Sequence, residues 1–116
     1  MKQVVKLDIV PGEKPPAVDV SEGDNGRIVL FELMTNGVSD TVPDGAAVTM
    51  IGVTPNQREI NIEGSPQGDV VRVIIDSSAT SCSGIAICKL VISKGDELRI
   101  GTQLFRLRVE PDPRKA

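Results

Sequence analysis

Two cysteines (Cys82 and Cys88), one adjacent Ser93-Lys94 pair and sixteen carboxylates are the residues of this chain that could do chemistry. Cys82, in SATSCSG, has the setting of a nucleophile loop, but a cysteine attacks as the thiolate and needs a base or a cationic neighbour to form it. The chain has no histidine. That removes the commonest general base near neutral pH and the commonest metal ligand, and excludes Ser-His-Asp and Cys-His catalysis within the chain. Neighbouring strand residues point to opposite faces, so Ser93 and Lys94 cannot act as a dyad. Asp24, Asp44 and Asp96 sit among turn residues, where a carboxylate caps backbone N–H groups. There is no DxDxDG calcium loop and no GxGxxG or GxxxxGK[ST] phosphate loop. Asn25, Asn36, Asn56 and Asn61 all lack the third residue of a glycosylation sequon. The expectation is no catalytic residue, no metal ligand set and no cofactor.

The elements that carry these residues are short apolar runs cut by Gly, Pro, Asn and Asp. QVVKLDIV (3–10) ends at PGEKPP, where Pro15 and Pro16 impose an extended connection. AVDV (17–20) leads to the turn SEGDNG. RIVLFELM (27–34) puts Val29, Phe31 and Leu33 on a core face and Glu32 outside. Asn36-Gly37 reads as a type I′ hairpin turn, followed by VSDTV and a turn at Pro43-Asp44-Gly45. AVTMIGV (47–53) precedes Thr54-Pro55-Asn56 and a weak strand at REINIE. Gly64-Ser65-Pro66 is expected to break the chain before DVVRVII (69–75). DSSATSCSG reads as a crossover with a helical turn started by Asp76 or Ser77. From Gly84 to Val109 the chain then writes one long hairpin: GIAICKLVIS, the turn KGDE and LRIGTQLFRLRV. Strands recurring every 8–12 residues without a helix longer than a turn predict an all-β class, an antiparallel β-sandwich of about eight strands. Residues 1–110 form its single domain, and PDPRKA (111–116) is a tail or linker.

At 116 residues such a domain buries about 60–70% of its unfolded surface without disulfides or metals. Phe31 and Phe105 are its whole aromatic content, so Val, Ile and Leu must fill the core. The formal charge of −3 and the missing aromatic platforms argue against nucleic acid. Arg99, Arg106, Arg108, Arg114 and Lys115 gather in the closing segment and read as a solvated strand face. Cys82 and Cys88 are expected to stay free thiols, Cys88 as a small core hydrophobe, in a protein assembled in a reducing compartment. No signal peptide and no membrane span is expected.

What the chain has in excess is aliphatic surface. In GIAICKLVIS, Ala86, Cys88, Leu90 and Ile92 point one way and Ile85, Ile87 and Val91 the other. A half-buried strand is apolar on one face only, so a second cover is required. Ile51 and Val53 join the outward set if Val48 and Met50 face the core. Val70 and Ile74 join it if Val71, Val73 and Ile75 do, and Leu104 joins it opposite Phe105 and Leu107. These eight residues, Ile51, Val53, Val70, Ile74, Ile85, Ile87, Val91 and Leu104, are the candidate subunit contact. Burying six such side chains gives on the order of 10–18 kcal/mol, against about 4–15 kcal/mol for association. The competing reading is that the domain's own second sheet covers some of them.

Several segments in order carry a family likeness: VVKLDIVPGEKPPAVDVSEGD, IVLFELMTNG, DGAAVTMIGVTPN and SGIAICKLVISKGDELRIGTQLFRLRVEPD. The pattern around Gly52, Pro55 and Gly84 and the ending at Thr102-Gln103-Leu104-Phe105 are its most specific parts. Through these the chain resembles the N-terminal immunoglobulin-like domain of phage baseplate upper proteins, a module that also begins other phage fibre and appendage proteins. The chain departs from it in lacking tyrosines and other aromatics near SEGD and in the hairpins. The resemblance implies a non-enzymatic virion component, assembled in the host cytoplasm as an attachment module of a baseplate, tail or head fibre. It also implies a homo-oligomer, a trimer favoured, bound to other virion structural proteins. The alternative is a carbohydrate- or host-surface-binding β-sandwich, although such sites present aromatic platforms that this chain lacks. An enzyme completed by a partner's residues is the remaining class.

Overall fold

The computed structural model describes residues 2–9 and 15–113; Val10, the stretch 11–14, Arg114 and Lys115 lie outside the described residues. The protein is all-β. Its strands are β1 (Lys2–Asp8), β2 (Ala17–Ser21), β3 (Arg27–Thr35), β4 (Val38–Ser39), β5 (Ala47–Val53), β6 (Glu59–Gln67), β7 (Val70–Ile75), β8 (Gly84–Lys94), β9 (Leu98–Gly101) and β10 (Phe105–Glu110). One helical turn, α1 (Ser77–Thr80), follows β7.

The strands hydrogen-bond in the order β1-β3-β7-β6-β5-β8-β10-β2, with β4 beside β3 and β9 beside β8. The ribbon folds over on itself into a barrel-like sandwich. One layer holds β1, β3, β4 and β7, the other β2, β5, β8, β9 and β10, and β6 belongs to both. Two pairings, β1 with β3 and β10 with β2, are parallel, additions to the otherwise antiparallel arrangement that the sequence predicts. The seam between β1 and β2 is held by side chains. Gln3 Nε2 donates to the Asp19 carbonyl at 2.6 Å. Gln103 Oε1 accepts from Asp8 N at 2.9 Å, while Gln103 N donates to the Asp8 carbonyl at 2.8 Å.

The core is the inward set of every long strand. Val29, Phe31, Leu33, Val48, Met50, Val71, Val73, Ile75, Ala86, Cys88, Leu90, Ile92, Phe105 and Leu107 are all buried. Phe31 from one layer meets Phe105 from the other, ring centroids 4.9 Å apart and tilted 46°. Asn36 and Gly37 both take positive φ, 50° and 81°, as a type I′ turn requires. Asp76 caps α1, accepting from Ser78 N at 3.0 Å.

The expected break at Gly64-Ser65-Pro66 is corrected: β6 runs straight through it. Up to Gly64 the strand pairs with β5, and from Ser65 it pairs with β7. A Cβ on Gly64 would lie 2.8 Å from Val71 Cγ1, so the glycine lets the strand bend tightly over the other layer. Glycine at a barrel corner does this commonly. The residues that punctuate loops here turn a strand from one sheet to the other.

A second close approach carries a testable consequence. A Cβ on Gly52 would stand 2.7 Å from both the Ile87 carbonyl oxygen and Cys88 Sγ. Because backbone has to yield, Gly52→Ala is expected to destabilise the domain by about 1–3 kcal/mol. Urea denaturation read by circular dichroism measures this; an unchanged midpoint would mean β5 and β8 can separate without cost.

Candidate interaction surface

β8 is the spine of its layer. It pairs with β5 along one edge, and with β9 and then β10 along the other. Inward residues from β5 and β10 already fill the core, so the alternate residues of β5 and β8 face out together. Ile51, Val53, Ile87 and Leu104 line one shallow groove of about 380 Å³ with Gly52, Glu59, Asn61 and Lys89. Ile85 stands two residues from Ile87 on the same face. Val53, Ile85, Ile87 and Leu104 are 45–51% exposed, large values for aliphatic side chains.

The eight candidate residues do not form one patch. Ile74 and Val70 lie on β7 in the other layer, in ladder register with Ile28 and Glu32 of β3. That face also carries Lys6, Arg72 and exposed Val4, and its charges interrupt the aliphatics. Val91 is corrected. It alternates outward but is only 6% exposed. In the ladder it sits between Thr49 and Gly101. The Lys89 side chain, two residues earlier on the same face, folds across Gly101, its Nζ 3.2 Å from where a Cβ would be. An aliphatic lysine stem is thereby laid beside Val91. Five residues remain together: Ile51, Val53, Ile85, Ile87 and Leu104. Glu59 and Asn61, which flank them from β6, follow the alternation of REINIE, yet only the pairing of β6 with β5 places them at the groove.

The chemistry-bearing residues are dispersed. Asp24 accepts from Ser21 N at 2.9 Å and pairs with Arg27 at 2.8 Å, a turn-capping role. Thr35 Oγ1, at 2.6 Å, and Thr41 N hold the Asp40 carboxyl below its usual range. Among the described residues no three His, Cys, Asp or Glu side chains are placed to share a metal ion, and no helix is long and apolar enough to cross a membrane. Both cysteines are free. Burial pushes the Cys88 thiol up to about 12.

No family model and no curated protein matches this sequence. Among solved structures, the N-terminal domain of phage TP901-1 ORF48 superimposes with a TM-score of 0.76. The superposition covers 94% of this chain and 98% of that one, at 14% sequence identity. The fold of this chain is therefore that of a phage protein's N-terminal domain. The pattern at Gly52, Pro55 and Gly84 has a physical basis in that fold. Gly84 adopts φ +123°, and a Cβ on it would meet Pro55 Cγ at 3.0 Å.

Two outcomes follow for the thiols. In the folded protein a thiol reagent at pH 8 should modify partly exposed Cys82 quickly and Cys88 only as fast as the domain opens; equal rates would mean Cys88 is accessible. A thiol pKa raised on folding contributes stability below the unfolded value, near 9, that is lost as pH rises towards about 12. Cys88→Ala should remove that part of the alkaline slope in denaturation midpoints between pH 8 and pH 11.

Proposed function

We propose that the chain is a non-enzymatic structural module of a phage virion, of the kind that opens baseplate upper proteins and related fibre proteins. It docks through the outer face of β5 and β8. The observation that carries this reading is the superposition on the ORF48 N-terminal domain over nearly the full length of both chains. Its sequence counterpart is the ordered likeness of the segments around Gly52, Pro55, Gly84 and Thr102-Gln103-Leu104-Phe105. The surface supports it independently, since five aliphatic side chains stand on one face beside a groove without an aromatic in its lining. A groove of that make-up suits protein rather than a sugar ring, which stacks on aromatic faces. The chain assembles in the reducing host cytoplasm, in keeping with two free thiols, and associates with copies of itself, a trimer favoured, and with other virion proteins.

The test is Ile87→Asp. Half-exposed Ile87 contributes little to the core, so the variant should keep its circular dichroism and its melting transition while light scattering falls to monomer mass. A variant that unfolds would place Ile87 in the core. One that stays assembled would move the contact elsewhere, with Val4 and Ile74 of the opposite face the next to replace.

A further inference from the structure

The aliphatic patch is polarised. Ladder register sets Glu59, Val53, Ile87 and Arg106 in one row across four adjacent strands, acid at one flank, two aliphatics between, base at the other. With strands about 4.8 Å apart, the two charges stand roughly 14 Å from one another. Glu63, four residues along β6 on the same face as Glu59, extends the acidic flank. Arg108 extends the basic one but is already paired with Asp19 at 2.6 Å. Glu59 and Arg106 are both exposed, and among the described residues neither makes an ion pair.

Two faces of this make-up can meet in two ways. A rotation axis crossing the strands lays β6 on β6 and β10 on β10, setting Glu59 and Glu63 against their own copies and Arg106 against Arg106. An axis running along the strands lays each acidic flank on a basic one and keeps Val53 over Ile87. Like charges placed opposite one another across an interface are penalised, and opposite ones set register. Building on the self-association proposed above, we infer that a second copy of this chain is the occupant of the patch. The copies are related by an axis parallel to β8, with Glu59 of one against Arg106 of the next. A closed dimer and a closed trimer both satisfy this geometry, because each turns the acidic half of one face onto the basic half of its neighbour.

The experiment is a charge exchange in the full chain, followed by sedimentation velocity over a concentration series with circular dichroism as the check on folding. Glu59→Arg alone and Arg106→Glu alone should each weaken self-association about ten-fold or more, because an attraction becomes a repulsion at every contact. The double variant carrying both changes should return to within about three-fold of the parent. Single variants that associate like the parent, while Ile87→Asp is monomeric, would overturn the charge register and leave the patch as the contact. Assembly that survives Ile87→Asp would overturn the patch itself, and a parent chain monomeric at every concentration would overturn both.

Discussion

β8 pairs with β5 along one edge and with β10 and β9 along the other, and that double pairing governs the molecule. With both edges taken, the only freedom left to its side chains is which face they occupy. Ala86, Cys88, Leu90 and Ile92 go inward to meet the opposite layer. Ile85 and Ile87 have nowhere to go but out. The small inward residues Ala86 and Cys88 leave room for Phe105 and Phe31 at the centre, and a domain with two aromatic rings packs its core around that contact.

The sandwich closes by unequal means on its two sides. On one, β6 passes continuously from layer to layer, with Gly64 at the bend. On the other, the β1 and β2 edges are bridged by Gln3, and Gln103 exchanges hydrogen bonds with Asp8 much as a strand residue would. Exposed sheet edges invite pairing with other chains. Here the two outermost edges face each other, and side-chain amides occupy part of them. In the self-association proposed above, contact is thereby directed to a face, where side-chain identity selects the partner.

On that face, the proposed docking rests on pattern rather than reactive groups. No histidine is present to move a proton, the Cys88 thiol is held protonated by burial, and Asp24 spends its lone pairs on Ser21 N and on Arg27. In the proposed self-association, an aliphatic strip with one acidic and one basic margin needs no chemistry to recognise its like; area would supply attraction, and the order of charges orientation.

Strand alternation and turn chemistry in the sequence determined the all-β class, most strand positions and nearly the whole core, since burial on one face imposes period 2 and Asn-Gly or Pro-Asp-Gly allows few backbone shapes. They also determined that Ile51, Val53, Ile85, Ile87 and Leu104 would face away from that core. Only the tertiary structure decided that Ile74 and Val70 lie on the opposite layer, because alternation reports a side of a strand and not which sheet holds it. It decided too that Val91 is covered and that β6 continues through Gly64-Ser65-Pro66. A lysine folding over a glycine and a strand changing sheets are both set by neighbours distant in the chain. The row from Glu59 to Arg106 is of the same kind, for it exists only in the register of four strands drawn from residues 47 to 110.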